Sequence, residues 1–491
     1  VPGLGLSVVY ENKPVIVQGF GSNEVGSTTN PVTTNSVFQI GGYSMTFIAV
    51  AIAKLVDDGK VTWQDSIKQH LPWFELVDKY AETHATLGDL ASMNFVAEDD
   101  IKSESEMLFD ATFTERVMVE SIRLMNSTDP LRPGYQPSPY NFEILGQVIE
   151  AVTNTTWATY LKTSIWEPLG MHNTAAHPTH VASSQLSSGH LMCNSKVIGP
   201  FNQLNDTMIA LRPDDKPIAC LRSCRRPPTW QRLFQHPALV NDLFTGYTVR
   251  HVNDFTMQFD ALFSGYKIGT DGTALTSGYG FDTVGDIMFG HRYFEQTSVS
   301  LGFQLVNGFV RSHGLGVVVT ANAVHAINMG KYLTAGARIF WIRTYLLGLY
   351  LDVPIETLND EFDDAIAAFD SLPSQPCDAH YFDGKPWDIP GVLIPDTTKH
   401  ALIGTYEPMA STSGTPFAMQ MVVTVDGDDL MLQFGAYKRR LIATTRPLTY
   451  VWALEWDVMT WGVMAVKPES EHPRLWLTIG QAQVIEFVRT K

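Results

Sequence analysis

A strand-like run ending at Ile40 gives way to Gly41-Gly42-Tyr43-Ser44-Met45-Thr46-Phe47, and a long apolar helix follows at once. A hydroxyl at such a junction is a natural nucleophile if a base stands one helical turn further on. Tyr43 and Ser44 carry hydroxyls, but no lysine follows Ser44 at that spacing. The stretch therefore offers hydrogen-bond donors and empty volume in place of an activated nucleophile. Further along, His291, Arg292 and Glu295 form a charged trio whose ordinary role is a solvated strand edge. The four cysteines, Cys193, Cys220, Cys224 and Cys377, show neither a CxxC pair nor histidines at zinc spacing, so no metal or cofactor is expected, and one or two disulfides stay open.

The elements that must position these residues can be read in outline. Residues 4–21 give strand, turn, strand, with "ENKP" as punctuation, so a hairpin opens the fold. "TFIAVAIAKLVDDGK" is apolar almost all round and stops at Gly59, which predicts a helix in the middle of a domain. From 60 to 175 the pattern is mainly helical, 180–275 is irregular, and strands resume in "SVSLGFQLVNGF" and "LGVVVTANA" before a helix over 330–350. The strands at the start and near 300 are expected to share one antiparallel sheet, with the helical block inserted between them. Asn94 is read as a turn residue.

The acidic, proline-bearing stretch 351–395 reads as a surface linker. After it come short strands at hairpin spacing, with Asp426-Gly427 as one turn, which predict a small antiparallel barrel. The expected organisation is thus 1–350, a linker over 351–395, and 396–491.

Composition narrows the partners. The chain has 491 residues, 45% of them hydrophobic and 17% charged, as a globular protein with a large interior requires. A net charge of -17 repels phosphate backbones, and nucleic acid is not an expected partner. The most apolar stretch, "GKYLTAGARIFWIRTYLLGLY", carries Lys331, Arg338 and Arg343 and reads as a buried helix, so no membrane span is expected. Acceptor sequences for glycosylation at Asn126, Asn154 and Asn205 are about as frequent as chance gives, so compartment and oligomeric state are left open.

Several of these stretches together, "VPGLGLSVVYENKPVIVQGFG", "FQIGGYSMTFIAVAIAKLVDDGKVTWQDSIKQHLPWF", "ILGQVIEAVTNTTWATYLKTSIWEPLGM", "YGFDTVGDIMFGH" and "GLGVVVTANA", resemble the serine β-lactamase and penicillin-binding-protein-like hydrolases. The branch they are most similar to is the esterase and transesterase branch with a lipocalin-like C-terminal barrel. The resemblance implies an α+β fold: an antiparallel sheet flanked by helices, an inserted helical subdomain, and the barrel. It also implies three catalytic clusters, a Ser-x-x-Lys, a Tyr-x-Asn and a His-x-Gly or Lys-Thr-Gly. Aligned on Ile40-Gly41 and Thr46-Phe47, the first falls on Gly42 and Met45 where serine and lysine belong. Counted back from Ile144-Leu145-Gly146, the second falls on Pro137-Ser138-Pro139. Between Gly290-His291 and Gly302-Phe303, the third falls on Gln296-Thr297-Ser298. All three clusters are replaced.

The resemblance thereby assigns Tyr43, Gln296 and Ser298 as orienting donors, with Gly42, Ser44, Met45, Ser138, Tyr140, Thr297 and His291 lining the old cleft. Ser44 lies about 200° around the helix from Gly42 and cannot simply take its place. Met45 and Gly42 leave a roomier, less charged pocket. Such a cleft suits isomerisation, elimination, or a cyclisation or cycloaddition of an apolar small molecule in biosynthesis, where proximity supplies much of the rate and no nucleophile is needed. Two other readings stand beside it, a pseudoenzyme that binds without turnover and a hydrolase with a displaced nucleophile.

Overall fold

The computed structural model describes the chain except Val1, 96–113, 125–128, Pro137, Pro139, 194–195, 205–219, 223–229, 251–274, Leu301, 326–336, 371–392, 410–419, 435–436, 444–446, 453–460, 467–472, 480–482 and Lys491. The opening hairpin, Gly3–Tyr10 with Lys13–Gly21, turns through Glu11 and Asn12. Both of these have positive φ, 50° and 60°. That pair of left-handed residues is what a two-residue hairpin loop needs to match the twist of its strands.

The hairpin joins a nine-stranded sheet. Gly3–Tyr10 lies between Lys13–Gly21 and Leu315–Ala321, and the sheet continues through Phe303–Val310, His291–Glu295, Phe281–Met288, Thr276–Gly278 and Thr248–Val249. Gly5 is paired with Thr320, so the first and last parts of this unit meet in the middle of the sheet. The short strand Ser298–Ser300 pairs with Phe303–Val310. The expected shared antiparallel sheet is present, with the helical block between its strands.

Helix Ser44–Asp57 lies in the main core, with Phe47, Ile48, Val50, Ile52 and Leu55 buried. It ends as the sequence predicts: Gly59 has φ 68°, its N–H donates to Val56, and the next N–H, of Lys60, donates to Leu55. Helix Tyr140–Thr153 packs on it, and both face Trp157 and Trp166. Near the end of the central helix, the Asp57 carboxylate accepts the backbone N–H groups of Gln235 and His236 at 2.6 and 2.9 Å, which tie a distant loop to the helix. His190 is buried between the Val25 N–H and the Asn322 carbonyl, and burial holds its imidazole below the usual range, neutral and structural.

Helix Ala337–Tyr350 packs on the sheet, and its Arg343 is fully buried. The guanidinium meets the Glu295 carboxylate, the Tyr293 hydroxyl and the Asn307 carbonyl. Gly308 provides the room, since a Cβ there would collide with the Tyr293 hydroxyl and the Arg343 stem. The arginine that made this stretch unfit for a membrane is therefore a buried ion-pair partner, and no helix among the described residues is long and apolar enough to cross a membrane.

The expected linker is partly folded. Ile355–Asp370 is a helix of 16 residues, with Leu358 and Ala365 buried and Phe362 and Ile366 packed with Trp341 and Ala365. Its apolar residues fall at helical spacing, a pattern the acidic composition hid. Among the described residues, eight strands from Gly404–Pro408 to Gln483–Arg489 form a closed antiparallel barrel. Tyr406, Met421, Leu432, Phe434, Trp452 and Phe487 fill its interior. The hairpin read at Asp426-Gly427 turns instead through Gly427 and Asp428, because Asp426 is still paired with Asp429.

Candidate functional site

Gly41, Gly42 and Tyr43 form a single 3-10 turn that runs directly into the central helix. Gly41 has φ 47°, a conformation that favours glycine, and a Cβ on it would crowd the Val299 carbonyl at 2.8 Å. Gly42 differs. A Cβ there would meet only Ser298 Cβ at 3.7 Å and Met45 Cε at 3.9 Å, ordinary contact distances. Position 298, distant in sequence, therefore converges on positions 42 and 45.

The hydroxyls around that point are engaged. Ser44, 5% accessible, donates to the Gly41 carbonyl at 2.8 Å. Ser298 donates to the Ile40 carbonyl, and Ser300 donates to Gln39 at 2.8 Å. Gln296 is buried: its side-chain oxygen accepts the Asp282 N–H at 2.9 Å and its own N–H donates to Asn307 at 2.9 Å. It holds two strands in register beside the cleft. Tyr43 and Met45 stay partly accessible while packed against the main core, and Tyr43 stands edge-on to Phe47 at 5.8 Å. Thr297 is partly accessible, whereas Ser138 and Tyr140 are buried.

His291 is not brought to this group. It begins the strand whose far end carries Glu295, about 13 Å of extended chain away, and its ring packs edge-on to His313 at 4.4 Å. Arg292 is exposed, and Glu295 belongs to the Arg343 pair. Asn94 does act in a loop, where its side chain accepts the Gly134 N–H at 3.0 Å. Pro137 and Pro139 of the second cluster, together with Cys224 and Cys377, lie outside the described residues.

Sequence reasoning missed a further pair. The Tyr135 hydroxyl and Asp282 Oδ1 are 2.9 Å apart. Thr46, in the first turn of the central helix, donates to the Gly280 carbonyl at 2.7 Å, and Gly280 lies against Met45 and Ala49. Asp282 is thus two residues beyond a contact with the site, and its backbone is held by Gln296, two residues before Ser298. The Arg250 guanidinium lies 5.3 Å from the Tyr135 ring centre and donates to Thr283 at 2.8 Å. Both members of the pair retain some accessible surface, yet burial pushes the Tyr135 phenol well above its ordinary range and raises the Asp282 carboxyl. The signal that could have found them is an acidic residue inside the apolar strand "YGFDTV" and a tyrosine directly after Pro133-Gly134.

Chemically, the converged positions present the partly accessible Tyr43 and Met45 beside Ser298, whose hydroxyl is engaged with a backbone carbonyl. Among the described residues no group of three or more His, Cys, Asp or Glu could hold a metal ion.

Comparison with known proteins agrees with this architecture. A family model described as Beta-lactamase matches residues 1–338. Protein flp of Staphylococcus aureus is 23% identical over 198 residues, 39% of this chain and 38% of that protein. Unguisins hydrolase ungD' of Aspergillus campestris is 26% identical over 209 residues, 40% of this chain and 37% of that one. The chain thus spans under two fifths of the length of these curated relatives. Among solved structures, the octameric penicillin-binding protein homologue from Pyrococcus abyssi superposes with a TM-score of 0.54 at 16% identity, covering 100% of this chain and 96% of that one. D-amino acid amidase from Ochrobactrum anthropi gives 0.51 at 16% identity, over 76% and 95%. Identities this low establish the shared fold alone.

Proposed function

The chain belongs to the beta-lactamase family, and on that footing we propose that it is an enzyme which has kept the family's cleft and given up serine acyl transfer. The observation that carries the reading is the meeting of Gly42, Met45 and Ser298, where no serine–lysine pair exists. A hydroxyl nucleophile needs a base to remove its proton, and the serines nearby spend theirs on backbone carbonyls. What remains is a recess with an aromatic and thioether wall and a few donors. It suits an apolar small molecule and reactions that need orientation with light proton transfer: isomerisation, elimination or cyclisation. Tyr43 is the orienting donor in this reading, Ser298, its proton held by the Ile40 carbonyl, offers an acceptor, Gln296 holds the segment that carries Ser298, and Gly42 and Met45 supply the volume. The barrel we read as lipocalin-like on its closure and strand number, and 396–491 as a unit of its own.

One observation favours a second reading, a hydrolase with a displaced nucleophile. Ser298 Cβ stands 3.7 Å from where a side chain on Gly42 would begin, so its hydroxyl is close to the abandoned position. A relative named as a hydrolase points the same way. The two readings part on one measurement, intact mass after exposure to a fluorophosphonate and to a penicillin. The expected result is no adduct. An adduct that Ser298→Ala abolishes would install the hydrolase.

A further inference from the structure

We infer that Asn307 is a positioning residue of the cleft: through one side-chain hydrogen bond it fixes the segment 296–298, and with it the separation of Ser298 from the space at Gly42. The inference rests on the reading of that space as the working cleft, and it names what sets the size of the space. Phe294 is paired with Phe309 and Ser298 with Leu305, so the shared register sets Gln296 opposite Asn307. Between those two pairs the ladder is interrupted. The Gln296 N–H donates to Asn307 Oδ1 at 2.9 Å, a side-chain oxygen in place of a backbone carbonyl, and the Asn307 carbonyl accepts from the Arg343 guanidinium, also at 2.9 Å.

The place of Asn307 in the sheet suits this task. Leu305 and Phe309, two residues to either side, pack with the main core, whereas Val306 and Val310 belong to the cluster that holds Ile339 and Leu347 of helix Ala337–Tyr350. Alternation along the strand therefore puts the Asn307 side chain on the face of the central helix. Asn307 and Gln296 are both buried, so water is a poor substitute for the oxygen that takes the Gln296 N–H. Without that oxygen the amide has to shift towards another acceptor. Such a shift carries Ser298, two residues on, off the Ile40 carbonyl and away from Gly42. Arg343 holds the Asn307 backbone from the other layer and is itself neutralised by Glu295, so the acceptor stands on a fixed base.

The test measures the gap directly and needs no substrate. A Cβ on Gly42 would stand 3.7 Å from Ser298 Cβ, inside the range of about 3.5–4.5 Å that a disulfide requires. The full chain carrying Gly42→Cys with Ser298→Cys is expected to close that bridge in a glutathione redox titration, with the joined peptides identified by mass. Adding Asn307→Leu, similar in size but without the oxygen, is expected to lower the equilibrium constant for closure about tenfold, the worth of one buried hydrogen bond, while Asn307→Asp, which keeps the oxygen, restores it. Glu82→Gln, a destabilising change elsewhere, is expected to leave closure unchanged. No bridge at all, equal closure with Asn307→Leu, no recovery with Asn307→Asp, or an equal loss with Glu82→Gln overturns the inference. Should Asn307→Leu not fold, hydrogen exchange of the Gln296 amide in the parent decides: slow exchange supports the bond to Asn307 and fast exchange overturns it. A serine adduct in the phosphonate experiment defeats the broader reading instead, so the two failures are distinct.

Discussion

Ser298 looks straight at Gly42, with 3.7 Å between its Cβ and the point where a side chain on the glycine would start. The position thus has room for a small group and too little for a branched one. Gly42→Ser is expected to fold with an unchanged melting temperature, whereas Gly42→Leu pushes against Ser298 and Met45 and costs about 1–3 kcal/mol. Thermal melts of the two variants check this.

The vacancy can also be refilled. Gly42→Ser with Met45→Lys restores a hydroxyl and an amine one helical turn apart, at positions that already face each other. The double variant is expected to gain a stoichiometric fluorophosphonate adduct in intact-mass analysis, with Gly42→Ser alone unlabelled. A parent-like mass for the double variant would mean that a serine and a lysine at these two positions do not suffice for acylation.

Asp282 sets a pH dependence whose sign can be worked out. Facing it are Tyr135, Arg250, Glu295 and the Gln296 amide, and burial outweighs the hydrogen bond from Tyr135 and the pull of Arg250, so the folded state favours the protonated carboxyl. That contribution is full below the ordinary carboxyl range and is lost as pH rises through the raised value. Asp282→Asn cannot ionise. Its melting temperature relative to the parent is therefore expected to climb from about pH 4 towards neutrality. A constant difference across that range would show an ordinary carboxyl.

Glu82 has the opposite sign. Hydrogen bonds from Lys68 and Lys79, with the Leu76 N–H, hold its carboxyl down at about 2. Its stabilisation is present above the ordinary glutamate range and disappears as pH falls through about 2. Glu82→Gln is expected to cost about 2 kcal/mol in urea unfolding at neutral pH, and progressively less as the medium is acidified.

At the back of the sheet, Glu295→Gln removes the carboxylate that neutralises the fully buried Arg343. The uncompensated charge is expected to cost about 3 kcal/mol, and Arg343→Met in the same chain recovers much of it, because a buried pair is worth less than the damage done by halving it. Chemical denaturation of the single and double variants gives the coupling.

The parts of the fold that were legible are those whose signal is local. Ile40 and Phe47 are both core positions, which anchors the stretch between them at either end. Gly59 announced its helix end through the conformation only glycine takes easily. Tyr135 and Asp282 carried no comparable mark: 147 residues separate them, and their meeting depends on how the sheet is ordered. Helix Ile355–Asp370 was masked for another reason, since its acidic outer face dominates the composition while four apolar residues at helical spacing do the packing.

The pairing of Gly5 with Thr320 fixes an order of events during synthesis. The strand that sits between two neighbours in the finished sheet is among the first of these residues to leave the ribosome, and one of those neighbours follows 315 residues later. At translation speeds of about 5–20 residues per second, the opening hairpin waits roughly 15–60 s with one apolar edge unmatched. The nascent edge is therefore open to wrong pairings for that interval, which closes only when the distant strand arrives.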